Sequence, residues 1–314
     1  MNEDLQSGLF ASAAAPALER DADRRALDEL FRLTRQYSST QSYNELLRFI
    51  TRFRFYSPFN AMLVHVQMPG ARYVAPPHRW LTDFRRRIKP GARPLVILQP
   101  KGPVMFVFDV ADTEPEENAF PLPPAVETPF EVRGGSVGSQ LEQSIENAKR
   151  DGVRVSLRNA GSQNAGAIRT AQPGGYQKVA LRILPKPEYV HVPVSYELLL
   201  NSDHPREIRY ATLVHELAHL FCGHLGTPNS EWWPDRSGVA IGAREFEAES
   251  VCYLVCRRLG IDNRSEEYLS GYMKGQSEVP PISLDSVMTA SGLIEKMGRE
   301  RLKPRKLGKE GKEG

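Results

Sequence analysis

The spacing of apolar residues changes along the first hundred positions of the chain. Over 23–54 apolar residues recur every three or four positions, which predicts two amphipathic helices with a break near Ser39. The stretch 57–71 continues this spacing as a further helix. The next apolar stretches are short and rich in β-branched and aromatic residues, and they predict strands over 92–100 and 104–110. This first part of the chain is therefore predicted to be α+β.

The part of the chain after residue 139 begins with short segments and ends with long helical ones. From Asn201 onward, apolar positions keep helical spacing through two long segments. The segments before it predict, in chain order, a helix, a strand, a loop and two strands, at 140–152, 153–158, 159–176, 178–184 and 188–199. A mainly helical domain with a short sheet is expected.

Three stretches lack usable periodicity and divide the chain. Residues 111–138 are rich in proline and acidic side chains, which is typical of a linker. Residues 1–22 and 301–314 predict a disordered arm and a disordered basic tail. Two folded domains are therefore predicted, one over 23–110 and one over 139–300.

Composition narrows the class of protein. Of 314 residues, 40% are hydrophobic and 25% are charged, as in ordinary globular domains, and no apolar run approaches the roughly 18 residues of a membrane span. The first residues are acidic and do not form a secretory signal. The three cysteines, Cys222, Cys252 and Cys256, favour core thiols over a disulfide framework. We expect a cytoplasmic protein with no membrane partner.

Charge is distributed unevenly between the two predicted domains. Between Phe31 and Lys101 there are thirteen Lys and Arg residues against two acids, Glu45 and Asp83. Such an excess favours binding to a polyanion such as single-stranded nucleic acid. The candidate contact residues are Arg85, Arg86, Arg87, Lys89 and Arg93 for phosphates, and Trp80 for stacking on a base. The alternatives are a solvated basic face for the arginines and a core position for Trp80.

The segment HELAHLFCGH, residues 215–224, contains the strongest chemical signal. His215 and His219 are four positions apart on a predicted helix, so both imidazoles can bind one ion, with Glu216 beside them as a general base. The neighbouring positions are apolar, and polar side chains buried there without partners would be costly. The alternative is a chance match, but the pattern favours one Zn²⁺ per chain.

A third protein ligand is needed, and three residues are candidates. His224 follows in the same segment, and its position favours a supporting role. Glu245 and Glu249 share one face of the next predicted helix. Glu245 is favoured as the ligand and Glu249 as support for a ligand histidine, with the reverse order left open.

A strand just upstream completes the predicted site. The segment EYVHVPVSYEL, 188–198, is expected to be an edge strand above the metal that pairs with an extended peptide. His191 or Tyr196 could then polarise the scissile carbonyl.

Together these segments resemble known families. HELAH followed by REFEAESVCYLVCRRLGID (244–262) resembles the ImmA/IrrE metallopeptidases and, more closely, the C-terminal domain of ArdC-like antirestriction proteins of mobile elements. The stretch from Tyr56 to Pro100 is similar to the N-terminal domain of the ArdC-like proteins. The resemblance implies a domain that binds single-stranded DNA followed by a zincin-like (gluzincin) metallopeptidase domain. It maps the family motif onto His215, Glu216, His219, Glu245 and Glu249.

The sequence therefore predicts an α+β zinc metallopeptidase with an N-terminal single-stranded-DNA-binding domain and an unidentified protein substrate. Two other functions stay open. One is a non-catalytic protein that coats single strands and holds a structural zinc. The other is a protease that inactivates one specific repressor.

Overall fold

The chain is described from a computed structural model that covers residues 37–99, 102–122, 135–159, 166–182, 185–275 and 278–305. It is a mixed α+β protein, as the sequence predicts. The predicted arm, residues 1–22, and most of the first predicted helix lie outside these ranges.

The first part of the chain combines three helices with short strands. Its elements are α1 (Thr40–Arg52), α2 (Pro58–Gln67), β1 (Val74–Ala75), α3 (Pro77–Phe84), β2 (Arg86–Ile88), β3 (Leu95–Gln99), β4 (Gly102–Asp109) and β5 (Thr113–Pro115). Strand β4 pairs antiparallel with both β1 and β3, while β2 pairs antiparallel with β5. Helix α1 begins where predicted, because the Ser39 hydroxyl accepts a hydrogen bond from the Ser42 N–H and caps it.

The second part contains two β units and five helices in the described ranges. Its elements are α4 (Gln140–Arg150), β6 (Val153–Arg158), β7 (Gly166–Thr170), β8 (Tyr176–Arg182), β9 (Glu188–Pro193), β10 (Tyr196–Asn201), α5 (Arg206–Phe221), α6 (Ile241–Leu259), α7 (Ser265–Gly275) and α8 (Leu284–Arg299). Strand β10 lies between β6, to which it is parallel, and β7, to which it is antiparallel. Strands β8 and β9 form a separate antiparallel pair.

The order of this sheet differs from the sequence prediction. The segment 188–199 is two strands, and its second half, β10, is central rather than at the edge. The edge position is taken by β7, which lies inside the segment predicted as a loop. This strand of five residues, GAIRT, is too short to show a clear alternation, and Gly166 is required in it, since a Cβ would lie 2.6 Å from the Leu199 carbonyl oxygen.

The two predicted domains share one main core. Buried residues of α1 and α2 belong to the same cluster as those of α5, α6 and α8. The Tyr43 hydroxyl on α1 donates to Ser250 Oγ on α6 at 2.8 Å. Arg258, near the end of α6, is buried against the chain after α1 and donates to three of its carbonyl oxygens, those of Ile50, Phe53 and Tyr56. The apolar face of α1 is therefore covered jointly by α2 and by helices of the second part of the chain.

Both stretches predicted as linker and tail contain ordered contacts. Residues 113–115 of the predicted linker form β5, a strand too short to show a period, and 123–134 lie outside the described ranges. In the predicted tail, Arg305 forms an ion pair with Asp151 at 2.9 Å, and Leu302 N–H donates to Asn147 Oδ1. The tail prediction for 306–314 falls outside the described residues.

Across the described ranges, every helix is too short or too polar to cross a bilayer.

Candidate metal centre

Helix α5 carries the histidine motif on a buried scaffold. One side of the helix is packed in the main core through Leu213, Val214, Leu217, Ala218, Leu220 and Phe221. The side chains of His215 and His219 keep 21% and 14% of their surface exposed. The core contacts hold the helix in place, so both imidazoles face one partly open region beside α6.

The structure brings together the three residues favoured as ligands. His215 Nε2 and His219 Nε2 are 3.2 Å apart, and each is 3.6 Å from an oxygen of Glu245. A tetrahedral ion with bonds of 2.0–2.1 Å requires ligand atoms about 3.3 Å apart. Two imidazoles and one carboxylate at this spacing fit a divalent ion and leave a fourth position for another molecule.

The two glutamates of α6 occupy different positions. Glu245 faces the two Nε2 atoms, whereas Glu249 Oε1 lies 3.6 Å from Nδ1 of His215, the ring nitrogen on the far side. A carboxylate at that nitrogen orients a ligand histidine. The geometry therefore suits Glu245 as ligand and Glu249 as support, the order favoured from the sequence.

Glu216 lies beside the cluster and close to strand β7. Burial raises the pKa of its carboxyl, while the charge of His215 and a hydrogen bond from the Ile168 N–H act in the opposite direction. Carboxylates with a raised pKa are suited to accept and return a proton. Glu216 thus interacts both with the ligand cluster, through His215, and with strand β7, through Ile168.

Protonation differs between the two clustered histidines. Burial lowers the pKa of His215, but the hydrogen bond to Glu245 and the nearby Glu249 outweigh it and raise that pKa to about 9. Burial and the neighbouring His215 lower the pKa of His219. An ion that binds at His215 would therefore have to displace a proton from it.

His224 lies behind His219 and not in the ligand cluster. Its Nδ1 is 2.9 Å from His219 Nδ1, and its Nε2 is 2.8 Å from Glu247 Oε2. Glu247 accepts two hydrogen bonds of 2.6 Å from Arg236 and one of 2.6 Å from the Ser283 N–H. Sequence reasoning did not single out Glu247 or Arg236. The sequence feature that could have indicated Glu247 is its position between the core residues Phe246 and Ala248.

A second group of possible ligands does not form a vacant site. Cys222, His224 and Glu247 also place ligand atoms within 4.8 Å of one another, and all three are buried. Both Glu247 oxygens, however, already accept hydrogen bonds from Arg236, and burial raises the pKa of the Cys222 thiol. The guanidinium of Arg236 supplies the positive charge that an ion would otherwise bring.

The two candidate carbonyl-polarising residues have other surroundings. Tyr196 is 3% exposed, and its hydroxyl donates to the Gly226 carbonyl oxygen at 3.1 Å. His191 lines a cavity of about 670 Å³ whose lining does not include the ligand cluster. Neither position supports the predicted role.

The predicted nucleic-acid contacts are largely engaged within the protein. Arg86 donates to the side chain and carbonyl of Thr113, Arg87 pairs with Glu116, and Lys89 donates to the Ala111 carbonyl. The register of β2 and β5 places Arg87 opposite Glu114. The count of thirteen cations against two acids ends at residue 101. It therefore omits the acidic segment that folds back beside the basic one.

Trp80 is a core residue, so its predicted stacking role is wrong. Its side chain is fully buried against Tyr73 and Phe84, and its indole N–H donates to the Phe108 carbonyl at 2.9 Å. Arg85 packs over the Phe120 ring at 5.0 Å, while Arg93 is exposed.

Another aromatic surface lies elsewhere in the first part of the chain. A pocket of about 300 Å³ is lined by four aromatic residues and two arginines, namely Phe53, Phe55, Tyr56, Tyr73, Arg52 and Arg72. Phe55 is 70% exposed and meets Tyr73 edge to face, with ring centroids 5.9 Å apart. Exposed aromatic rings beside arginines can stack on nucleobases.

Comparisons with known proteins were made for the sequence and the fold. No protein-family model matches the sequence. No curated protein matches it either. Among solved structures, the chain is similar to the metal-free crystal structure of the antirestriction protein ArdC from plasmid R388. The identity is 13%, the match covers 77% of this chain and 82% of that chain, and the TM-score is 0.31. A TM-score of 0.31 is too low to assign a fold or a function, so both are taken from the residues themselves.

Proposed function

We propose that the protein is a zinc-dependent peptidase. The observation that carries this proposal is the cluster of His215 Nε2, His219 Nε2 and a Glu245 oxygen, with Glu216 adjacent to it. Two imidazoles and a carboxylate form a donor set that suits zinc and leaves one position open, as catalytic sites require. A purely structural zinc would have four protein ligands and no need of Glu216.

The residues of the chain then have separate tasks. His215, His219 and Glu245 would hold zinc, which when bound acts as a Lewis acid toward a carbonyl oxygen and water. Glu216 accepts a proton from the attacking water and returns it to the leaving amine. Of the two edges of β7, one pairs with β10 in the described sheet. The other edge, next to Glu216, can pair with an extended peptide.

Metal content and peptide cleavage test this proposal together. His219→Ala should lose the zinc, because the cluster then keeps only two ligands. Glu216→Gln should keep about one zinc per chain and lose cleavage of a proteome-derived peptide mixture, followed by mass spectrometry. Glu207→Gln, on the first turn of the same helix, is the matched control and should change neither result. Equal loss of zinc in both site variants would mean that Glu216 is a ligand, and cleavage by Glu216→Gln would contradict its role as base.

Binding of single-stranded nucleic acid is a second candidate function. It is supported by the aromatic pocket around Phe55 and Tyr73, which contains Arg52 and Arg72. Phe55→Ala should weaken binding of a labelled single strand in fluorescence anisotropy, because stacking contributes about 1–3 kcal/mol per base. Phe106→Ala, an exposed aromatic outside the pocket lining, is the control. No binding by the wild-type chain at low salt would reject this function and leave the peptidase proposal intact.

A further inference from the structure

Behind His219, buried side chains form a line that leads away from the ligand cluster. The line runs from His219 Nδ1 to His224 Nδ1 over 2.9 Å, and from His224 Nε2 to Glu247 Oε2 over 2.8 Å. The side chains of His224 and Glu247 are 1% and 0% exposed. Bulk water cannot replace these partners, so the bonds within the line decide where its protons lie.

The hydrogen bonds of Glu247, at the far end of this line, determine where the protons lie. Glu247 is held by Arg236 and the Ser283 N–H. The two hydrogen bonds from the Arg236 guanidinium, one to each carboxylate oxygen, stabilise its ionised form. An ionised carboxylate can only accept hydrogen bonds, so the Nε2 of His224 must be the donor.

This assignment determines the form of the ligand histidine. A neutral His224 with its proton on Nε2 has a lone pair on Nδ1, which accepts the proton of His219 Nδ1. His219 is then left with its lone pair on Nε2. That nitrogen is the one 3.2 Å from His215 Nε2 and 3.6 Å from Glu245.

We propose that Glu247 and Arg236 are positioning residues for the metal centre, acting through His224 to hold His219 in the tautomer and ring orientation that present Nε2 to the ion. This inference rests on the zinc site proposed above. It also gives a role to Arg236, which lies in the loop between α5 and α6 and donates hydrogen bonds to both oxygens of Glu247. The two ligand histidines differ in this respect, because the support of His215, Glu249, is 21% exposed and 3.6 Å away.

Glu247→Gln in the full-length chain removes the charge with little change in volume. Its amide can donate to His224 Nε2, which would move the His224 proton to Nδ1 and the His219 proton to Nε2. We expect zinc affinity, measured by competition with a chromophoric chelator, to fall about 10–100-fold. In ¹⁵N-histidine spectra of the zinc-loaded protein, the signal of the His219 Nδ1 proton should shift or disappear.

A matched variant separates positioning from stability. The side chain of Glu295 is only 9% exposed and is paired with Arg258 at 2.5 Å, similar to the 2.6 Å of Glu247 and Arg236. Glu295→Gln should therefore lower the melting temperature but leave the zinc affinity of the folded protein unchanged. A folded Glu247→Gln protein with wild-type zinc affinity would overturn the proposal.

A double-mutant cycle tests whether Glu247 acts through His224. In His224→Gln the amide oxygen can accept directly from His219, so adding Glu247→Gln should cause little further loss of affinity. Equal losses in the two backgrounds would contradict the proposal. If Glu247→Gln does not fold, Arg236→Lys provides the same test, since lysine keeps the positive charge but cannot form the bidentate hydrogen bonds to Glu247. A wild-type chain that binds no zinc would instead reject the proposed function.

Discussion

Replacing Arg258 by Ala should destabilise both halves of the protein at once. Its guanidinium is 3% exposed, pairs with Glu295 on α8 and donates to three carbonyl oxygens that follow or end α1. The substitution leaves the Glu295 carboxylate, whose side chain is 9% exposed, with only the more distant Arg299 at 3.5 Å, and loss of a buried ion-pair partner typically costs about 3–5 kcal/mol. The carbonyls also lose their donors, although water can enter the space left by the side chain and satisfy part of them. We therefore expect a loss of about 4 kcal/mol, a large part of the roughly 5–15 kcal/mol that stabilises a typical domain.

Urea denaturation can measure this loss in each half separately. Trp80 reports on the first part of the chain, and Trp232 and Trp233 report on the second. Trp80 lies in a smaller cluster, but strands β1 and β4 beside it contribute Val74 and Val107 to the shared core. In the wild type and in Trp80→Phe, fluorescence and circular dichroism should therefore give one coincident transition. With a slope of about 3 kcal/mol/M, the Arg258→Ala midpoint should fall by about 1–1.5 M.

The neighbouring Arg257 is the control for this experiment. It is partly exposed, and its partners Asp262 and Glu266 are 84% and 52% exposed. Arg257→Ala should therefore cost less than about 1 kcal/mol. Two separate transitions in the wild type, with Arg258→Ala moving only one of them, would refute the shared core.

Three further predictions concern the site and the first part of the chain. Glu245→Ala should lower zinc affinity more than Glu249→Ala or His224→Ala, because only Glu245 faces the Nε2 atoms of both histidines. A larger loss in His224→Ala would instead indicate a three-histidine site. Zinc affinity should rise by up to about tenfold per pH unit between pH 7 and 8.5, because the ion displaces a proton from His215, whose pKa is raised to about 9. The folding stability of the metal-free protein should change with pH in the opposite direction. Protonated His215 stabilises the fold fully below its unfolded pKa of about 6.5, and this stabilisation is lost as pH rises through about 9. The melting temperature should therefore fall over this range in the wild type and stay flat in His215→Gln. Trp80→Ala should cost about 3–5 kcal/mol in thermal or chemical unfolding, as expected for a core residue; unchanged stability would contradict its burial.

Sequence alone was sufficient where the relevant geometry is local. Positions four apart on a helix lie on one face whatever the rest of the protein does. For this reason the order of residues by itself groups His215 with His219, and separately Glu245 with Glu249. The break near Ser39 and the periodic apolar stretches likewise located α1, α2, β3 and β4.

Only the tertiary structure decided the relations between residues far apart along the chain. Glu247 lies on α6, whereas His224 and Arg236 lie in the loop between α5 and α6, and their contacts form only in the folded chain. Strand β7 shows no period of its own and is defined by its pairing with β10. The acids after residue 110 neutralise part of the basic segment only because β5 folds back along β2. The burial of Trp80 and the contact between α1 and α6 likewise exist only in the folded chain. Strand pairing, burial and charge compensation depend on which surfaces meet in the folded chain, and local spacing contains no record of those contacts.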